Sequence, residues 1–349
     1  MRTIFWLIVL AILAGAGWLV WAVAIPVEPA AQTFVMLHPG YSTRRIASEL
    51  KKAGVIRSED AFIFWHYVRE RRSLKAGEYL FDKPANLPEV QKRLMRGDVY
   101  FHTVVVPEGY TMFDIARAIE AAGLGPAADF LKVAQSDTAL IADLAPGAPS
   151  LEGYLFPDTY EFSRMQTMQE MAAAMVKQFR VVGREIGLIQ TPAVPVPDMP
   201  GEGAVTPRIL VETDLERTVI MASIVEKETA APEERPMVAG VYYNRLAKRI
   251  ALDADPSVIY GELVAGTYSG ALHHDDMRFN SPYNTYTHAG LPPGPIGNPG
   301  KSALEAAMHP AKSDYYYFVA DAQGHHRFAA TIEEHNKNVE AYRRAMRVQ

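Results

Sequence analysis

Cysteine is absent from all 349 residues. Its absence removes disulfide staples, thiolate-ligated zinc, iron–sulfur clusters and thiol nucleophiles together. It leaves the compartment open, because an exported protein with a large core needs no disulfides. An excess of charge of either sign is also missing: 35 Lys and Arg stand against 40 Asp and Glu, a net charge of −5. The basic footprint of a general nucleic-acid binder is therefore not there. Nor is the composition of a disordered chain, since 49% of residues are hydrophobic and 10% aromatic. The length suits two or three domains of roughly 100–200 residues each. Long uncharged runs are scarce too, and the one that exists lies at the N-terminus.

After Arg2 and Thr3, residues 4–27 carry no charge until Glu28, with Trp6, Trp18 and Trp21 toward the ends of the run. Amphipathic rings favour the membrane interface at such positions. About 20 apolar residues cross a hydrocarbon core, whereas the apolar part of a signal peptide spans about 7–15. Length thus favours an uncleaved anchor. The rival is a cleaved signal, for which Ala22-Val23-Ala24 offers a small-x-small site. Arg2 and the terminal amine supply the only positive charge before the span, which puts the N-terminus in the cytoplasm and the remainder outside. The expectation is a single-pass anchored ectodomain.

Two segments then match at a constant offset. Gly40 maps to Gly109, Tyr41 to Tyr110, Ile46 to Ile115, Ala47 to Ala116, and Ala53-Gly54 to Ala122-Gly123. Each copy reads as a short strand (34–37, 102–106), a glycine turn, a Ser or Thr cap, and an amphipathic helix. Between the copies stand a helix pattern at 59–71, a strand signal at 77–81 and a short helix at 87–95. Two copies are too few for a solenoid, so they predict a duplicated small α+β module. One reading is a glycan-gripping unit of the LysM type; the other is a stalk that spaces the next domain from the bilayer. Tyr41 and Tyr110 are its only candidate sugar platforms and serve equally as packing residues.

From Leu151 the texture changes. Residues 151–160 crowd aromatics and carboxylates into Leu-Glu-Gly-Tyr-Leu-Phe-Pro-Asp-Thr-Tyr, a Met-rich helix pattern follows at 167–179, and 191–207 is a proline-rich loop by composition. The pattern at 213–229 is apolar nearly all round (Leu215, Val219, Ile220, Met221, Ala222, Ile224, Val225), the mark of a buried helix. Glu226 and Glu228 stand in its last turn. At about 100° per residue, Glu226 continues the Leu215/Val219/Ala222 side and Glu228 the Arg217/Met221/Ile224/Val225 side. A carboxyl on an apolar stripe is desolvated, its pKa rises, and it suits general-acid work. The bland alternative is a pair of solvated charges at a fraying helix end, and pattern alone does not choose between the two glutamates.

The blocks that follow are Met-Ala-Ser-Ile-Val-Glu-Lys-Glu-Thr-Ala (221–230), Val-Tyr-Tyr-Asn-Arg-Leu (241–246), Leu-Asp-Ala-Asp-Pro-Ser-Val-Ile-Tyr-Gly (252–261), Ser-Pro-Tyr-Asn-Thr-Tyr-Thr (281–287) and Gly-Leu-Pro-Pro-Gly-Pro-Ile-Gly-Asn-Pro-Gly (290–300). With the anchor, the repeat and the 151–160 block, they make the whole chain resemble the YceG-like endolytic murein transglycosylases. The resemblance implies an α+β protein in three parts: a transmembrane helix (1–30), a LysM-like duplicated module (31–145) and a catalytic domain (146–349) with a buried Glu-bearing helix. It implies an inner-membrane enzyme with a periplasmic ectodomain that cuts nascent glycan strands internally and so terminates their elongation. The catalytic residue it implies is Glu228, with Glu226 a supporting or structural carboxylate. It also implies peptidoglycan strands as substrate, penicillin-binding proteins and other wall-synthesis enzymes as partners, and no cofactor.

A glycan cleft needs amides and hydroxyls for sugar polar groups and aromatics for ring faces. Within the blocks that carry the resemblance, Asn244, Asp255, Ser257, Tyr260, Asn284, Thr285 and Tyr286 fit that need, with Glu152 and Asp158 from an opposite wall. Against this, residues 255–257 equally cap a helix and Asn244-Arg245 equally end one. Two other features tempt toward a metallohydrolase: His273-His274-Asp275-Asp276 in a loop-like stretch, and His325-His326 in a predicted hairpin turn between strands at 315–320 and 327–330. Neither has helical ligand spacing, and metal is not expected. A second class remains open, a silent glycan-binding scaffold that organises wall-synthesis enzymes; it should tolerate Glu228→Gln.

Overall fold

The computed structural model describes residues 2–29, 31–69, 72–190 and 212–346. Helices alternate with short strands, and all the described sheets have two strands. The proline-rich stretch at 191–207 lies outside the described residues. The chain divides into two compact units: Met1–Thr103 with Glu161–Thr167, and Val104–Tyr160 with Met168–Gln349. It passes between them within β3 (His102–Val105) and β4 (Thr159–Phe162), which pair with each other.

In the first unit α1 (Arg2–Ala24) is long and apolar enough to span a membrane. β1 (Thr33–Leu37) and β2 (Gly77–Phe81) pair antiparallel with Val35 opposite Tyr79. Around them stand α2 (Thr43–Lys52), α3 (Glu59–Arg69) and α4 (Leu87–Arg96). Val35, Leu37, Leu50, Phe62, Tyr79, Phe81, Val90 and Leu94 form the core, joined by Ala22 and Val23 from the last turn of α1. Among the described residues of this unit one carboxyl group is buried: Glu78 accepts from His102 at 2.8 Å and from Arg164 at 2.7 Å. A buried carboxylate persists only when paired in this way.

The duplicated segments share backbone geometry. Gly40 (φ 82°) precedes the Ser42 cap of α2, and Gly109 (φ 76°) precedes the Thr111 cap of α5 (Met112–Ala121). Both turns need a left-handed residue, which glycine supplies without strain. α2 belongs to the first unit and α5 to the second, so the division falls between the copies.

The second unit adds α6 (Ala127–Ser136), α7 (Met168–Glu185), α8 (Glu212–Glu228), α9 (Arg235–Ala247), α10 (Asp255–Ala265), α11 (Lys301–Met308), the hairpin β5–β6 (Tyr317–Ala320, His326–Ala329) and α12 (Ile332–Met346). Val219 through Val225 are buried without a break, so α8 is the unit's central post. α11 and α9 pack on it. The 290–298 segment wraps it too: the Ile296 N–H donates to Ser223 Oγ at 3.0 Å. Asn298, fully buried, ties the wrap together. Its Oδ1 accepts from the N–H groups of Gly153 and Leu155, and its Nδ2 donates to Tyr110 O and Glu152 Oε1.

Candidate active site

The two glutamates of the last α8 turn are two residues apart, about 200° around the axis, and meet different surroundings. Glu226 turns inward to Arg235, the first residue of α9. Arg235 Nη2 donates to Glu226 Oε1 at 2.6 Å, and both side chains are 5% exposed. The Gly300 N–H donates to Glu226 Oε2 at 2.9 Å. A side chain at Gly300 would run into Glu108, whose carboxylate also faces Arg235. Burial pushes the Glu226 pKa up, while the Gly300 N–H and Arg235 pull it down. With both oxygens engaged, Glu226 is an anchor between α8, α9 and the Pro-rich wrap.

Glu228 turns the other way and is partly buried. The Tyr242 hydroxyl of α9 donates to its Oε1 at 2.8 Å. Among the described residues its Oε2 has no hydrogen-bond partner. Burial pushes its pKa up to about 7, and the negative charge of Asp255 adds to the rise. The Tyr242 hydroxyl and the Arg245 guanidinium oppose it. A carboxyl near 7 populates both forms at neutral pH, so it can give a proton and take one back.

Tyr242 is itself fixed. It is 1% exposed, its ring meets Phe318 of β5 edge-on at 5.7 Å, and its own hydroxyl pKa is held well above the usual range by burial and by Glu228. The hairpin carrying Phe318 is pinned in turn by Glu234, in the loop after α8. Glu234 accepts from the His326 backbone N–H at 2.9 Å and bonds the rings of His326 and His325 at 2.6 and 3.2 Å. The second histidine pair therefore has a carboxylate partner and a place in the support of the site. In the first, His273 caps a 3-10 turn (His274–Arg278) through Asp276, and the side chains of His274 and Asp275 stand in solvent. Among the described residues no group of three or more His, Asp or Glu side chains is placed to hold a metal ion.

Asp255 opens α10 and accepts from the Tyr286 hydroxyl at 2.6 Å. Both are exposed, and both couple electrostatically to Glu228. Glu228, Asp255 and Tyr286, all singled out in the sequence, thus come together with Tyr242 and Arg245. The other sequence candidates lie deeper or elsewhere. Asn244 donates to the carbonyls of Ser313 and Tyr315. Ser257 and Thr285, both buried, bond each other at 2.9 Å and hold the turn at Ala254. Asn284 is buried, donating to Met277 and Phe279 carbonyls and accepting from the Tyr286 N–H, which fixes the loop that presents the Tyr286 ring.

Glu152 sits at the start of α5, where the Met112 N–H donates to both its oxygens. Complete burial pushes its pKa up to about 8. Tyr260 is buried between Phe113 and Tyr283, its hydroxyl turned toward Glu152 without a closed hydrogen bond. Asp158 is exposed and bonds the Thr159 N–H and Gln178. None of these last three touches Glu228.

Sequence reasoning missed Tyr242, Arg235 and Asn298. Tyr242 stands in the quoted 241–246 block two residues before Asn244, and only its burial distinguishes it from Tyr243. Asn298 lies near the end of the quoted 290–300 block, in a Gly-Asn-Pro-Gly turn whose composition says loop and nothing of a fourfold-bonded side chain.

The profile of the YceG-like family matches residues 35–341. A Bacillus subtilis (strain 168) protein named endolytic murein transglycosylase is 33% identical over 342 residues, spanning 91% of this chain and 87% of its own length. A Streptococcus pneumoniae protein of the same name is 29% identical over 372 residues, across 95% of this chain and 63% of its own. A crystal structure of a yceG-like protein from Listeria monocytogenes superposes with a TM-score of 0.54 at 32% identity, covering 88% of this chain and 98% of that one. On the extent of these matches, the chain belongs to the YceG-like family.

Proposed function

We propose that this chain is a peptidoglycan lytic transglycosylase that uses Glu228 as its single acid and base. The observation that carries the proposal is the environment of Glu228: a partly buried carboxyl at the end of a buried helix, titrating near 7, with one oxygen held by Tyr242 and the other unengaged. Membership of a family with relatives named endolytic murein transglycosylase supplies the substrate class.

The chemistry needs one carboxyl because the nucleophile belongs to the substrate. Protonated Glu228 gives its proton to the oxygen linking N-acetylmuramic acid to N-acetylglucosamine, and the C1–O bond breaks through an oxocarbenium-like state. Glu228, now ionised, takes the proton from the C6 hydroxyl of the same muramic ring as that oxygen attacks C1. The products are a 1,6-anhydromuramyl end and a free N-acetylglucosamine end; water is not consumed and Glu228 returns to its starting form. Ordinary glycosidases need a second carboxylate as nucleophile or base. Here Asp255, bonded by Tyr286, supplies negative potential beside the developing cation, and the exposed Tyr286 ring offers a sugar-stacking face. Cutting inside strands as they leave the membrane would end their elongation, with α1 as the anchor and the penicillin-binding proteins and other enzymes that make the strands as partners. The division of labour we propose is a LysM-like module at 31–145 and catalysis at 146–349.

The test is mass spectrometry of products from uncrosslinked glycan strands, comparing wild type with Glu228→Gln. Anhydromuramyl ends from wild type alone are the expected result. Reducing ends carrying added water would replace cyclisation with hydrolysis and turn attention to Asp255. No cleavage by either folded protein would favour the scaffold.

A further inference from the structure

In most of the first unit the helices are polar outside. Among the described residues, neither α2 nor α4 exposes a large hydrophobic side chain. α3 differs. Phe64, Tyr67 and Val68 are 49, 54 and 62% exposed. Their spacing of i, i+3 and i+4 puts them on one helix face, side by side. The opposite face of α3, Phe62 and His66, is buried. Exposed apolar stripes of this kind mark an interaction surface.

The position of α3 says what covers the stripe. α3 and α4 both pack on α1. The contact is with the end of α1: Ala22 and Val23 enter the same core cluster as Ala61 and Phe62, with Leu19 packed at its margin. A 23-residue helix at about 1.5 Å per residue just exceeds a hydrocarbon core of about 30 Å. If α1 spans the bilayer, residues 19–24 lie at the interface, and Ala61 and Phe62 of α3, in the same core cluster, lie beside them. Arg57 fixes this junction, donating to the carbonyls of Ile25 and Pro26 with its guanidinium over the Trp21 ring at 5.1 Å. Arg69, at the end of α3, lies over Trp65 at 5.3 Å. Arginine beside tryptophan is the chemistry of a headgroup layer, where the ring is half-solvated and the cation meets phosphate.

We propose that α3 is an interfacial helix: the Phe64/Tyr67/Val68 face enters the outer surface of the same lipid bilayer that α1 crosses. The inference rests on the reading of α1 as a membrane span. A single span leaves a domain free to tilt; a second, shallow apolar contact on the same rigid unit fixes its rotation about the span. Such helices bury their apolar face about 5–10 Å into the headgroup and acyl boundary.

Because the chain has no cysteine, single labels can be placed without background. The full-length protein is reconstituted in vesicles with Leu13→Cys, Val68→Cys or Lys92→Cys, each carrying an environment-sensitive fluorophore. Nitroxide lipids with the quencher either shallow or deep in the acyl chain are then added to the vesicle composition. Leu13 lies mid-way along α1 and should lose emission to the deep quencher. Val68 should lose it to the shallow quencher, with a blue-shifted spectrum, and Lys92 on α4 should lose none. Quenching at Leu13 without quenching at Val68 overturns the proposal and points to a protein partner or a second copy on that face. No quenching at Leu13 overturns the membrane span itself, and the interfacial helix with it.

Discussion

Tyr242→Phe tests the assignment of Glu228 without touching the carboxyl. The change removes one hydroxyl from a side chain 1% exposed and keeps the ring that packs on Phe318. What is lost is the 2.8 Å donation to Glu228 Oε1. A hydrogen bond to a charged acceptor contributes about 1.5–3 kcal/mol and to a neutral one about 0.5–1.5. The difference, about 1–1.5 kcal/mol, favours the ionised carboxylate and corresponds to about one pKa unit. Removing the donor should therefore raise the Glu228 pKa from about 7 toward about 8. Only the protonated carboxyl can start the reaction, so kcat/KM falls as pH rises through this pKa. The variant's alkaline limb should thus lie about one unit higher. Normalised to each protein's acid-side plateau, it should be about fivefold more active than wild type at pH ~8. The assay is the pH profile of kcat/KM for release of anhydromuramyl ends. An unmoved alkaline limb would mean that the titrating acid is not Glu228, and a limb displaced downward would mean that Tyr242 stabilises the protonated form.

Other variants separate structure from chemistry. Glu228→Gln should lower turnover by several orders of magnitude and leave glycan binding intact, as followed by product mass spectrometry and strand co-sedimentation; comparable loss of binding would argue against a purely chemical role. Arg235→Leu leaves Glu226 buried at 5% exposure without its cation, so urea unfolding should show a loss of about 3–5 kcal/mol. A loss below 1 kcal/mol would mean that the ion pair is not what joins α8 to α9. Glu152, pushed up to about 8 by burial, keeps its proton in the folded protein at pH values where the unfolded chain has released it. Stability should therefore fall as pH rises from about 4.5 toward about 8, and Glu152→Gln should flatten that fall; an equal slope in both proteins would exclude Glu152 as its source. Activity should persist in a chelator, because the carboxylate that meets the His325-His326 rings, Glu234, is already their structural partner.

What the sequence made legible and what it did not follows from the range of the interactions. Periodicity placed α8 closely, because burial of a whole helix is written in consecutive residues, and found the start of α7, which runs six residues past the expected end at 179. Turn chemistry placed the two strand–glycine–cap–helix copies, because Gly40, Gly109, Ser42 and Thr111 act within their own segment. Glu226 and Glu228 are another matter. Their spacing dictates that they diverge and says nothing about which face is closed. That is decided by residues near in sequence but unreadable as partners: Arg235, nine positions beyond Glu226, and Tyr242, fourteen beyond Glu228. Both stand on α9, and the way α9 crosses α8 puts the guanidinium under one carboxylate and the phenol against the other. The Gly300 N–H, far along the chain, completes the closure of Glu226. A carboxylate with a full-charge partner and a backbone donor has both oxygens committed, whereas one with a single neutral donor keeps an oxygen unengaged and a pKa near neutrality. The same comparison explains the hydroxyls and amides of the 252–287 blocks. Ser257, Asn284 and Thr285 have the right chemistry for a sugar, but they are buried and bonded to neighbours, and their contribution is to hold Asp255 and Tyr286 at the surface beside Glu228.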